Sequence, residues 1–270
     1  TVDSTGDTKD PRGDWRNGGP KTYTLTAGEE TLELSSKNLG SADVTLVAAW
    51  LTTSAGAAIA HLALGSNPIG DEAMIPLLDT LKDIPLISFD ISKTNCGVST
   101  ASKLAELLTD ETKFRGALTE VNVAFNQIGS DGGIALRDAL KTSNLKFLAI
   151  GKMYTSKGGT VITGSQLTTG VTLSAGGRLG ELISGPNSNF NVKLRWADDG
   201  KESNYMKLHS LDGEPLKLPL QSPFEGEHLD LAHQQLDPGH IVILAWWLTT
   251  EFSGAINLLT LGSTGNMRDQ

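Results

Sequence analysis

The chain has 270 residues, 39% of them hydrophobic, which suffices for a sizeable core or for an extended array of repeats. A formal net charge of −9 and a pI near 5.0 argue against nucleic acid and anionic membrane as partners, since either needs a basic patch. No run approaches the ~18 apolar residues that cross a bilayer, and the single cysteine, Cys96, rules out an internal disulfide framework.

In chain order, residues 1–27 read as an N-terminal extension. From there one pattern recurs. "TLELSSKNLG" (31–40) is followed by the helical stretch "SADVTLVAAWLTT" from Ser41, and "IAHLALGSNPIG" (59–70) repeats the shape with Leu62, Leu64, Asn67, Ile69 and Gly70. "LISFDISKTNCG" (86–97) fits with Phe89, Ile91, Cys96 and Gly97, although Thr94 stands at the asparagine position. "LTEVNVAFNQIG" (118–129) is a full version, "LKFLAIG" (145–151) gives the strand half alone, and "LDLAHQQLD" (229–237) and "INLLTLGSTGN" (256–266) come near the end. Helices predicted between strands have Ser41, Ser99 and Ser130 placed as N-caps, and Leu104, Leu107 and Leu108 recur at helical spacing. The last apolar residues of the strands are Leu34, Leu64, Ile91, Val123, Ile150, Leu231 and Leu261, separated by 30, 27, 32, 27, 81 and 30. Five steps are near one unit length, and one is far too long.

The pattern resembles the leucine-rich repeat family, L-x-x-L-x-L-x-x-N-x-L/I-G, in its longer, ribonuclease-inhibitor-like class. The resemblance covers roughly 28–151 and 227–270. It implies an α/β leucine-rich-repeat solenoid, with short parallel strands inside and helices outside. Apolar strand residues turn inward and those between them line a concave face. It also implies that the asparagine satisfies backbone groups at the turn and that the glycine permits a tight bend.

The long step marks an interruption of the repeats 28–157. Residues 158–212 are rich in Gly, Ser, Thr and Val without helical periodicity, and end in "VKLRWADDGKESNYMKLHSL". There Val192, Leu194 and Trp196 alternate with Lys193 and Arg195, Asp199-Gly200 makes a tight turn, and Tyr205 lies beyond it. This hairpin resembles those of SH3-like or Tudor-like β-barrels, which implies a small all-β insertion that binds peptide through Trp196 and Tyr205. The alternative is that Trp196 packs the core, Phe190 being the only other aromatic nearby. A linker, 213–226, leads back to repeats at 227–270.

No catalytic constellation is present: there is no G-x-x-x-x-G-K-[ST], G-x-S-x-G or H-E-x-x-H. His228 and His233 lie five apart but lack a converging third ligand, so neither a metal nor a cofactor is expected. Cys96, at an inward position, reads as a buried and inert thiol, and Asp198-Asp199 as turn chemistry. The repeat resemblance therefore implies a non-enzymatic interaction or scaffold module. A protein partner would bind the concave face at Glu33, His61, Asp90, Glu120, Asn122 and Asp230. The alternatives are a regulatory, repeat-containing part of a larger enzyme and a peptide reader acting through the barrel. With no Asn-x-Ser/Thr sequon present, an intracellular setting, cytoplasmic or organellar, is expected.

One further regularity spans the chain. "VAAWLTTSAGAAIAHLALGS" (47–66) aligns without a gap to "LAWWLTTEFSGAINLLTLGS" (244–263), with 11 of 20 positions identical at an offset of 197. Identity at exposed threonines exceeds what inward positions of two repeats demand. The expectation is a tandem duplication, with this chain a slice of a longer protein whose start lies before Thr1 and whose repeats run on past Gln270.

Overall fold

The computed structural model describes residues 1–16 and 18–262, which form two compact units. The first comprises Thr1–Leu148, Leu218–Pro223 and Leu236–Gly254. The second comprises Ala149–Lys217, Phe224–Gln235 and the described residues from Ala255 on.

In the first unit β1 (Val2–Asp3) and β2 (Thr22–Tyr23) pair antiparallel. Short strands then alternate with helices. They are β3 (Thr31–Glu33), α1 (Ser41–Leu51), β4 (His61–Ala63), α2 (Gly70–Leu81), β5 (Ser88–Asp90) and α3 (Val98–Thr109). After the short α4 (Lys113–Ala117) come β6 (Glu120–Asn122), α5 (Gly129–Leu140) and the start of β7 (Phe147–Thr155), and later in the chain α6 (Pro238–Trp247). Strands β3 to β6 pair in parallel in sequence order, with Leu32, Leu62, Phe89 and Val121 level with one another. Helices α1, α2, α3, α5 and α6 pack in succession. The predicted parallel strands and helices of a leucine-rich-repeat fold are thus observed.

The strands stop after three residues because the chain turns at once. Ser36, Ser66, Lys93 and Phe125 each occupy left-handed backbone conformation (φ +52° to +60°) just before the asparagine position. The bend is therefore made mainly by non-glycine residues, contrary to the expectation from sequence. Gly70 and Gly129 do take positive φ, but Gly40 and Gly97 are extended. Hydrogen bonds hold the strained turns. Asn67 Nδ2 donates to the carbonyls of Leu34 (2.9 Å) and Leu64 (2.7 Å), while its Oδ1 accepts the N–H of Leu39. Asn126 does the same to Ile91, Val123, Thr94 and Cys96. Each asparagine thus satisfies buried groups of its own repeat and of the one before.

The core follows the repeat. Leu34, Leu64, Ile91 and Val123 are buried at the strand exits, and Leu39, Ile69, Cys96 and Ile128 in the turns. Val47, Leu77, Leu104, Leu136 and Ile243 are buried on the helices. The predicted serine caps are corrected. Gly40 and Gly97 occupy the N-cap positions of α1 and α3, and Ile128 that of α5, without side-chain caps. Carboxylates supply the missing acceptors: Gly97 N–H donates to Asp71 (2.6 Å), Gly40 N–H to Asp43 (2.9 Å) and Gly129 N–H to Asp237 (2.6 Å). Asp43 reaches back from the first turn of α1 itself, whereas Asp71 and Asp237 reach across from the helix starts of adjacent repeats, so a serine cap is not needed.

Residues 1–27 are integrated into this unit. Thr5 donates through both N–H and hydroxyl to Asp43 Oδ2, and the buried Tyr23 hydroxyl donates to Asp43 Oδ1. Burial and that carboxylate push the Tyr23 phenol well above its ordinary pKa. At the other end of the helix row α5 and α6 cross through glycines: a Cβ on Gly133 would lie 2.5 Å from Gly239 Cα. Trp247, fully buried on α6, donates from Nε1 to Pro219 O at 2.7 Å.

In the second unit the rest of β7 pairs antiparallel with β8 (Val161–Ile162). Strands β9 (Thr172–Ala175), β10 (Arg178–Ser184), β11 (Asn191–Trp196) and β12 (Met206–Lys207) form an antiparallel meander in the order β12-β11-β10-β9, and Ser156 makes a single antiparallel bridge to Leu173. Residues 158–212 hold these strands and short 3-10 turns, and the strand order is that of an open meander. Its core contains Tyr154, Leu167, Leu173, Leu182, Val192, Leu194, Leu208 and Leu211. The predicted hairpin is present, with Val192 opposite Met206 and Gly200 at φ +70° in its turn. After β13 (Gly213–Pro219), β14 (His228–Leu231) and β15 (Leu258–Leu261) pair in parallel, Leu229 level with Leu259.

The 197-residue offset relates elements as well as letters. Adding 197 carries β3 onto β14, α1 onto α6 and β4 onto β15. The C-terminal residues Met267 to Gln270, on which the continued-repeat expectation leans, lie outside the described residues.

Candidate functional site

The outward positions of β3 to β6 form two rows. Glu33, Ala63, Asp90 and Asn122 are level with one another, as are Thr31, His61, Ser88 and Glu120. This follows from the two-residue strand period, which sends Leu32, Leu62, Phe89 and Val121 inward and their neighbours out. Glu33 is exposed; His61, Ser88, Asp90 and Glu120 are half-buried; Asn122 is buried. The structure thus brings five of the six predicted repeat-face residues onto one ladder.

These side chains are already engaged. His61 Nδ1 lies 2.8 Å from Ser88 Oγ, and Asn122 Nδ2 donates to Asp90 Oδ2 at 3.1 Å. Glu33 accepts the N–H of Ser35, Asp90 that of Ser92 and Asn122 that of Ala124, each two residues onward. An acceptor at this position therefore helps turn the chain off the strand, a structural role the sequence reading did not assign. Burial raises the Asp90 carboxyl above its ordinary pKa against the pull of its hydrogen bonds, and nearby Glu33 adds to the rise. The ladder carries carboxylates, an imidazole and short hydroxyls, which make a polar, acid-biased face.

Asp230, the sixth predicted residue, is not on open surface. It belongs to β14 in the second unit, is only 2% exposed, and accepts both the N–H (2.8 Å) and the hydroxyl of Ser165. Like the other ladder residues it also accepts the N–H two positions on, that of Ala232. Burial alone would raise its pKa, but these hydrogen bonds hold the carboxyl below the usual range. Gln234 occupies the asparagine position of this repeat. Its longer side chain reaches both the N–H and the C=O of Lys152, at 2.6 and 2.8 Å.

Trp196 and Tyr205 have separate surroundings. Trp196 is half-buried against the meander core, and the guanidinium of Arg178 lies 4.3 Å from its ring centroid. Arg178 is in turn held by both oxygens of Asp198. Tyr205 is 57% exposed, its hydroxyl 3.3 Å from Ser184 Oγ. Phe190 packs on the core. The face of Trp196 is therefore already occupied by a cation from its own chain, and Asp198 serves that pair as well as the turn. Cys96 is buried, as expected, and burial pushes its thiol pKa up.

Sequence reasoning missed Ser165, because its partner Asp230 stands 65 residues away and nothing local marks the pair. It also missed the buried pair formed by Asp237 and His240, whose Oδ1 and Nδ1 lie 2.6 Å apart, with His240 Nε2 3.2 Å from Val123 O. Nothing in the local sequence distinguishes His240 from the other four histidines.

Among the described residues no helix is long and apolar enough to cross a membrane. No curated protein matches the chain. A family model described as "Leucine Rich repeat" matches residues 59–78 and 118–136, spans that begin just before β4 and β6 and run into α2 and α5. The parallel ladder and the two matched spans agree in register and content: the chain carries leucine-rich repeats.

Proposed function

We propose that the chain is a non-enzymatic interaction or scaffold module that docks a protein partner on the outward strand face. The observation that carries this is the ladder itself, which sets Glu33, His61, Asp90, Glu120 and Asn122 in two level rows on rigid strands. The net charge of −9 and the acids of the ladder favour a partner with a basic contact surface. The ribonuclease-inhibitor-like class is supported by the full helix in each repeat and the 27–32-residue steps between Leu34 and Ile150. An intracellular setting is supported by the single unpaired cysteine and the lack of sequons. The 197-residue correspondence of elements supports a duplicated block.

Charge reversal tests the docking reading. A partner retained by the wild-type chain should be lost with Glu33→Lys plus Glu120→Lys and kept with Glu106→Lys on α3. Equal loss with all variants would refute it.

A second reading has one observation in its favour. Exposed Tyr205 lies in the β11–β12 hairpin, whose sequence resembles those of SH3-like or Tudor-like barrels, so peptide contact at Tyr205 is the alternative. Tyr205→Ala would abolish binding on that reading and leave it intact on the first.

A further inference from the structure

We propose that the turn Thr163–Gln166 is an inhibitory strap that covers the outward position of β14 and withholds it from a partner until displaced. This rests on the reading of the outward strand face as a docking surface and adds its regulation. Asp230 is the counterpart of Glu33 at the 197-residue offset, yet Glu33 is exposed and Asp230 is 2% exposed. The cover is thin. Gly164 lies so close to β14 that a Cβ there would be 1.9 Å from Ala232 O, while Ser165 and Gln166 face solvent. The hydrogen bonds from the turn to β14 converge on Asp230: the N–H and hydroxyl of Ser165 both donate to its Oδ2, and the Thr163 hydroxyl also bonds the carboxylate. The turn also carries its own support: Gln166 Oε1 accepts the N–H (2.9 Å) and hydroxyl of Thr163. It can therefore lift without losing its internal bonds, pivoting between Ile162, paired with Tyr154, and buried Leu167. When it lifts, β14 presents Asp230 outward, as β3 presents Glu33.

Carboxylate footprinting of the full chain tests this without any partner. A carbodiimide and a small amine modify carboxylates that reach solvent, so Asp230 reports the strap and the equally hidden Asp237 (6% exposed) is the control. Ser165→Ala removes one charge-assisted hydrogen bond and should speed modification of Asp230 about tenfold. Gly164→Ala should do the same by forcing the turn off Ala232 O. Amide exchange at Leu182 and Leu194, in the meander core, should stay at the wild-type rate in Ser165→Ala. Asp230 modified no faster in Ser165→Ala, or exposed only together with loss of Leu182 and Leu194 protection, would overturn the strap. Either result would leave the docking surface of β3 to β6 untouched.

Discussion

The amide oxygen of Asn126 accepts the backbone N–H of Cys96, thirty residues earlier, at 3.1 Å. One side chain thereby ties the turn of its own repeat to the turn of the previous one. Leucine periodicity makes each strand bury its inward face, but the asparagine fixes how one repeat sits on the next. A buried amide at this position is therefore a coupling element between units that have little stability alone.

Replacing Asn126 by Ala leaves the buried N–H groups of Thr94 and Cys96 without their partner, while the carbonyls of Ile91 and Val123 keep Thr94 Oγ1 and His240 Nε2. Each orphaned buried group costs about 1–3 kcal/mol, so Asn126→Ala should destabilise the first unit by roughly 3 kcal/mol or more, read as a lower urea midpoint. Asn122→Ala, four residues earlier at the end of β6, removes a hydrogen bond to Asp90 and a turn contact, and should cost only about 1 kcal/mol.

The α5–α6 contact should be similarly intolerant of size. Gly133 and Gly239 let the backbones meet, and a Cβ at 2.5 Å from Gly239 Cα must push the helices apart. Gly133→Ala would gain helix propensity at an exposed site, by about 1 kcal/mol. Here it should instead lower the melting temperature, with overpacking costing about 1–3 kcal/mol. Gly116→Ala on α4, which meets nothing within 4 Å, is the matched control and should be neutral or stabilising.

Much of this was legible in the sequence, and the reasons differ by element. The inward residues Leu34, Leu64, Ile91 and Val123 reveal themselves by spacing, because a two-residue strand period and a fixed repeat length leave few registers. The ladder partners of Glu33, Asp90 and Asn122 follow from the same arithmetic. What periodicity cannot carry is chemistry between distant segments. Ser165 reaches Asp230 across the insertion, Asp71 rather than Ser99 serves the start of α3, and Arg178 takes the face of Trp196. The helix starts were misplaced for a related reason. Serine is a sound local cap, but a carboxylate from an adjacent turn competes for the same amides and brings a full charge to the helix N-terminus.

Asp237 and His240 make the first unit sensitive to acid. Burial pushes the Asp237 pKa up, but the hydrogen bonds and charge of His240, with the Gly129 N–H, hold it below the ordinary carboxylate range. A carboxyl whose folded pKa lies below its unfolded value, about 3.9, contributes stability that is present above that value and lost as pH falls through the folded pKa. Urea unfolding should therefore show this contribution intact at pH 6 and falling below about pH 4. Asp237→Asn should flatten that acid limb. An unchanged acid limb in Asp237→Asn would assign the loss to other carboxylates.

The docking face itself is tested most directly by placing a photo-crosslinking side chain at Ser88, in the middle of the ladder, and at exposed Leu46 on α1, then irradiating the chain in native extract. The account predicts a discrete protein adduct from position 88 that is absent from position 46 and disappears when Glu33→Lys and Glu120→Lys are added. An adduct from position 46 alone, or one from position 88 that survives the charge reversals, would contradict it.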